Sequence, residues 1–91
     1  MTPEDRPELS VVVPTLDEAR HLPRLLEGLR ALGPDVEVVV VDGGSSDGTP
    51  ELARQHGARL VRAVRGRGAQ LRAGAEAARG SWLLFLHADC R

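Results

Sequence analysis

An open α/β fold is predicted for this chain: a three-layer arrangement with a parallel sheet of about four strands in the order 3-2-1-4, one half of a doubly wound architecture. Three observations carry that expectation. Short apolar runs alternate with segments of helical periodicity in the pattern β-α-β-α-β-α-β. Each crossover is long enough for a parallel, right-handed connection. The carboxyl ends of the strands are polar and glycine-rich, most of all where Val38-Val39-Val40-Val41 runs into Asp42-Gly43-Gly44-Ser45-Ser46-Asp47-Gly48-Thr49. That is the end of the sheet at which open α/β folds bind ligands, and the glycines let a ligand approach the backbone closely.

Leu9 to Val13 is a β-branched run closed by Pro14 and reads as the first strand. Thr15 or Asp17 is placed to cap the first helix. Its apolar stripe is Leu22, Leu25, Leu26, Leu29 and Leu32, and Gly33-Pro34 stops it. Val36 to Val41 reads as the second strand. Thr49 as cap and Pro50 at the first helical position open a second helix, which runs to about His56 and ends at Gly57. Ala58 to Val64 reads as a third, more exposed strand, and Arg65-Gly66-Arg67-Gly68 as a loop. Ala69 to Arg79 is an alanine-rich third helix closed by Gly80, and Trp82 to Leu86 a fully buried fourth strand. Three loop tips, Pro14-Thr15, Asp42-Gly43 and His87-Ala88-Asp89, are then expected to share one crevice.

Composition narrows the function classes. The 91 residues suffice for one small domain, and a hydrophobic share of 42% supports a core. A formal net charge of −1, with Trp82 and Phe85 as the sole aromatics, argues against a nucleic-acid partner. No apolar run approaches the roughly 20 residues of a membrane span, and Met1 to Glu8 is polar, unlike a signal peptide. Cys90 is the only cysteine, which excludes an intrachain disulfide and suits a cytoplasmic location. The chain stops at Arg91, directly after an expected central strand and a polar motif, which predicts a truncated protein.

Each polar candidate has two readings. Asp42 is an acceptor for a base imide or ribose hydroxyl, or a turn cap. Asp17-Glu18 lines a pocket, or complements a helix dipole. Arg65-Gly66-Arg67-Gly68, leading into Gln70 and Arg72, offers a guanidinium to phosphate or carbonyl oxygen, or is a solvated basic turn. It lacks the Gly-Lys-Ser/Thr ending of a Walker loop. Pro14-Thr15-Leu16 lacks the glycine-rich turn that a dinucleotide or adenosylmethionine site requires after the first strand. His87 and Asp89 fall on one side of the chain if the fourth strand continues through them. They then share a divalent cation, or else cap strand and turn. His21 and His56 read as surface helix residues, and Cys90 as a small filler.

Taken in order, these segments resemble the family 2 glycosyltransferases. Ser10-Val-Val-Val-Pro-Thr-Leu-Asp-Glu18 is similar to the family's opening strand and Pro-Thr-x-Asn-Glu. Val39-Val-Val-Asp-Gly-Gly-Ser-Ser-Asp-Gly-Thr49 is similar to its second signature, Gly66-Arg-Gly-Ala-Gln-Leu-Arg-Ala-Gly74 to its third, and Gly80 to Asp89 to its Asp-x-Asp strand. The Gly-Gly-Ser-Ser-Asp-Gly and Leu-His-Ala-Asp variants look most like a small bacterial subgroup. The resemblance implies a Rossmann-like half of a GT-A fold and inverting transfer of a sugar from a UDP- or GDP-sugar, with Mn²⁺ or Mg²⁺ as cofactor. It implies donor contacts from Pro14, Thr15, Glu18, Asp42, Gly43 and Arg67, and a cation at Asp89 and His87. Asp17 stands for the usual Asn, and His87 for the first Asp of Asp-x-Asp. The resemblance places the general base and acceptor site beyond Arg91, so residues 1–91 are expected to hold a donor half without transfer activity. Peripheral membrane association and a homodimer are further expectations. The other reading is an inactive nucleotide-binding or dimerising α/β module.

Overall fold

The computed structural model describes residues 6–88. Its elements are β1 (Leu9–Thr15), α1 (Leu22–Arg30), β2 (Val36–Asp42), α2 (Thr49–Gln55), β3 (Arg59–Arg62), α3 (Arg67–Ala77) and β4 (Trp82–Phe85). The four strands form one sheet in the order β3-β2-β1-β4, every pair parallel. The crossover lengths predict the parallel pairing, and the strand order is the one expected for half of a doubly wound fold.

The two central strands are apolar on both sides because helices cover both faces. Val11, Val13 and Val40 pack with Leu22, Leu26 and Leu29 of α1 and Ala53 of α2. Val12, Val39 and Val41 face the other way, against Ala73 and Ala77 of α3. The α3 helix comes close because Gly74 has no side chain: a Cβ there would sit 2.3 Å from Val12 Cγ1 and 2.9 Å from Val41 Cγ2.

Several boundaries differ from expectation, each for a local reason. β1 continues through Pro14 to Thr15. β4 pairs with β1 only as far as Val12↔Phe85, so the N–H that Pro14 lacks, which would face that side, costs no ladder bond. Neither Thr15 nor Asp17 caps α1; its N-cap is His21, with no side-chain cap bond. Thr15 is still in the strand, and the Asp17 carboxylate accepts the Ser46 N–H at 2.8 Å instead. The stripe stops short of Leu32, which is exposed beyond the helix end at Arg30. Thr49 is the first residue of α2 rather than its cap. The N-cap is Gly48 at φ 87°, and Asp47 Oδ1 accepts the Thr49 N–H at 3.1 Å. α3 begins at Arg67, inside the expected loop.

β4 is the largest correction. It was expected to be buried, yet Trp82, Leu83, Leu84 and Phe85 are exposed at 69%, 44%, 44% and 45%. Among the described residues it is an edge strand, with β1 as its one neighbour in the sheet. The other edge, β3, carries Arg59 and Arg62, charges that guard an edge against further pairing. The strand also ends at Phe85, so alternation along β4 does not reach His87.

Candidate functional site

The carboxyl end of the sheet is built around one buried carboxylate. Thr15 and Asp42 are the last paired residues of β1 and β2, and both are buried. Thr15 Oγ1 donates to Asp42 Oδ1 at 2.8 Å, and the Ser45 hydroxyl donates to the same oxygen. Asp42 Oδ2 accepts the Ser45 N–H at 2.8 Å and the Gly44 N–H at 3.1 Å. Burial pushes the Asp42 carboxyl up, but donation from the Ser45 hydroxyl and N–H, Thr15 and the Gly44 N–H outweighs it, and its pKa lies below the ordinary 3.8. Asp42 is therefore an anion whose two oxygens each hold two donors. It is both an Asx-type turn cap and the acidic centre of the rim, and a ligand N–H reaches it only by replacing a present donor.

Two loops interlock above it. The Asp17 N–H donates to Ser45 Oγ at 2.8 Å, and the Ser46 N–H returns to Asp17 Oδ1. The Glu18 N–H donates to Thr49 Oγ1 and the Ala19 N–H to Asp47 Oδ2, both at 3.0 Å. Thr49 holds the Asp47 carboxyl below its ordinary value, helped by the Ala19 N–H. Asp17 is the one non-glycine residue at positive φ among the described residues, at 54°, a conformation that Asp and Asn tolerate best. Asp17, through its carboxylate and N–H, and Glu18, through its N–H, thus brace the β1-α1 loop to the β2-α2 loop. Glu18 keeps its side chain half-buried, Oε2 standing 3.2 Å from His21 Nδ1.

Beside this rim lies a hollow of about 160 Å³ lined by Pro14, Arg67, Leu71, Phe85, Leu86 and His87. Three predicted site residues from three separate segments, Pro14, Arg67 and His87, therefore meet. Arg67 and His87 are exposed. Asp89 and Cys90 lie outside the described residues, so that part of the expected His87-Asp89 pair has no structural account. Among the described residues no group of three or more His, Cys, Asp or Glu side chains is placed to hold a metal. His87 offers one nitrogen donor and does not make a cation site by itself.

Gln70, which by sequence reads only as the continuation of the basic loop, joins the rim to the hollow. It is 6% exposed. Its Nε2 donates to Thr15 O at 2.9 Å and Val41 O at 3.0 Å, and its Oε1 accepts the Gly66 N–H at 3.1 Å. Gly43 lies against this amide: a Cβ there would be 2.9 Å from Gln70 Cδ. The sequence signal was available, since a polar residue on the core side of an alanine-rich helix needs partners. His21 and His56 are half-buried rather than free surface residues; His56 Nδ1 lies 2.9 Å from Leu52 O.

A larger hollow of about 600 Å³ lies at the opposite end, between α1 and α2. Leu26, Leu29, Val36 and Val38 are among the residues lining it, and none of the predicted site residues reaches it. Chemistry therefore favours the smaller hollow at the carboxyl end of the sheet.

Comparison with known proteins identifies the family and the fold. Residues 10–91 match the family model described as glycosyl transferase family 2. The dolichyl-phosphate beta-glucosyltransferase of Drosophila melanogaster is 40% identical, over 94% of this chain and 32% of that protein. A PGL/p-HBAD biosynthesis glycosyltransferase of Mycobacterium tuberculosis is 38% identical, over 91% of this chain and 36% of its own length. The glucosyl-3-phosphoglycerate synthase of M. tuberculosis, in complex with Mn²⁺, UDP and glucosyl-3-phosphoglycerate, superposes with a TM-score of 0.82 at 29% identity, over 94% of this chain and 34% of that one. The mannosyl-3-phosphoglycerate synthase of Rubrobacter xylanophilus gives 0.83 at 26% identity, over 92% and 31%. The chain spans about a third of the length of the curated relatives it matches.

Proposed function

The chain belongs to glycosyl transferase family 2, and from that membership we propose that residues 1–91 form the donor half of an inverting glycosyltransferase that takes its sugar from a nucleoside diphosphate. The observation that carries this is the pairing of a buried Thr15–Asp42 rim with a hollow joining Pro14, Arg67 and His87 at one end of the sheet. The M. tuberculosis synthase binds UDP with Mn²⁺, and also UDP with Mg²⁺. In our reading the base sits at the rim, over Thr15, Glu18 and Gly43. An imide N–H takes the place of the Ser45 hydroxyl on Asp42 Oδ1, because a rotatable hydroxyl is the easiest of the four donors to displace. Arg67 faces the diphosphate, where a guanidinium grips oxygen bidentately. Asp89, with His87, would hold the divalent cation. When bound, that cation supplies Lewis-acid stabilisation of the leaving group.

In our reading the general base and the acceptor site lie outside residues 1–91, and these residues bind donor without transferring sugar. No helix among the described residues is long and apolar enough to cross a membrane; our reading keeps the chain in the cytoplasm, with peripheral contact at the inner membrane face. A second reading, a dimerising module without activity, is favoured by the four exposed apolar side chains of β4.

Calorimetric titration of the 91-residue chain with UDP, GDP and NAD, with and without Mn²⁺, tests the first reading. Metal-dependent binding of UDP or GDP supports it. Tight NAD binding, or none of the three binding, overturns it. Asp89→Ala is expected to abolish the metal-dependent part alone, and Asp42→Ala to weaken binding with or without metal.

A further inference from the structure

We propose that Gln70 is a positioning residue: its buried carboxamide fixes the Arg67 turn against the ends of β1 and β2, and so sets the phosphate arm of the donor site. The inference rests on the nucleotide reading above. A carboxamide in an apolar core costs desolvation and rotamer freedom, and an unbranched apolar side chain of similar volume would fill the same space. Here three of its four hydrogen-bonding positions are used, and each partner lies on a different segment. Gly66, which gives its N–H to Oε1, precedes Arg67. Thr15, whose carbonyl accepts from Nε2, follows Pro14. Arg67 and Pro14 both line the hollow that His87 also lines.

Among the described residues no other hydrogen bond ties residues 64–69 to β1 or β2. The base side of the site is held differently. Thr15, Asp42, Gly44 and Ser45 bond one another without using the Gln70 side chain. Loss of the carboxamide therefore frees the phosphate side, whereas the base side loses the bonds to Thr15 O and Val41 O but keeps its own four bonds around Asp42. A phosphate-binding guanidinium moved by a fraction of its own width loses most of its value, because such contacts depend on orientation.

The test uses the isotope-labelled 91-residue chain, titrated by NMR with UDP plus Mg²⁺ and, separately, with uridine. The variants are Gln70→Met, which keeps volume and removes the bonds, and Gln70→Glu, which keeps the acceptor for Gly66 and removes both donors. In Gln70→Met, UDP affinity is expected to fall roughly tenfold while uridine affinity stays within about twofold. Relaxation of the Gly66 and Arg67 amides is expected to show fast motion that the Asp42 and Ser45 amides do not share. Equal loss of both ligands, or unchanged UDP affinity with Gly66 and Arg67 as ordered as before, overturns the proposal. Should Gln70→Met fail to fold, Gln70→Glu carries the same comparison. Absence of UDP binding by the unaltered chain refutes the nucleotide reading instead, and the Gly66 and Arg67 relaxation then decides the positioning claim alone.

Discussion

Thr15 and Asp42 face each other as the final pair of β1 and β2, and the hydroxyl of one donates to the buried carboxylate of the other at 2.8 Å. The bond closes the two central strands at their carboxyl ends. Thr15→Val keeps the shape and removes the donor. It is expected to cost about 1–3 kcal/mol, because a buried anion loses a partner without gaining water. Urea unfolding checks this: the midpoint should fall while the slope stays constant.

The same carboxylate shapes the acid limb of the stability curve. Its folded pKa lies below the ordinary 3.8, so its stabilisation is complete above that value and is lost as pH falls through the lower, folded value. Unfolding free energy measured downward from pH 5 should therefore decline below about pH 3.8. Asp42→Asn should be less stable near neutrality and show a shallower decline. An unchanged acid limb in Asp42→Asn would remove Asp42 from the account of acid stability.

Two glycines of α3 give opposite predictions. A Cβ at Gly74 would meet Val12 and Val41 at 2.3 and 2.9 Å, whereas one at Gly68 would meet nothing within 4 Å. Gly74→Ala should cost about 1–3 kcal/mol by overpacking, more than the helix preference returns. Gly68→Ala should stabilise by about 0.5–1 kcal/mol. Thermal unfolding of the two variants side by side tests how closely α3 approaches the sheet.

Asp17 combines a left-handed backbone at φ 54° with a carboxylate that accepts the Ser46 N–H. Asp17→Asn keeps both the tolerated conformation and an acceptor, and should change stability by less than about 0.5 kcal/mol. Asp17→Val keeps neither and should cost about 1–3 kcal/mol. Chemical denaturation of both variants separates the two outcomes.

The order of elements and the parallel sheet were legible because they rest on period and spacing, the family because its motifs resemble those of known members, and Val11–Val13 and Val39–Val41 lie at the centre whatever the ends do. The caps were less legible. Thr15, Asp17 and Thr49 are all good helix caps by type, yet each side chain is engaged by a partner about 30 residues away in the other loop. A local rule cannot anticipate such a bond. β4 misled for another reason: an apolar run specifies what a strand tolerates on both faces, and the burial of Trp82 and Phe85 depends on what lies beside the sheet edge. Asp42 was found by its position after a valine run, but its four donors come from Thr15, Gly44 and Ser45, and only the latter two are near it in the chain.

The central claim is that the carboxyl-end rim and hollow form one nucleoside diphosphate site, and a chemical-shift map of the 91-residue chain with UDP and Mg²⁺ tests it most directly. The account predicts the largest changes at Thr15, Asp42, Ser45, Gly66 and Arg67, with Leu29, Gly57 and Ala58 unmoved. Changes centred on the α1-α2 hollow at the other end of the sheet, or no changes at saturating UDP, would contradict it.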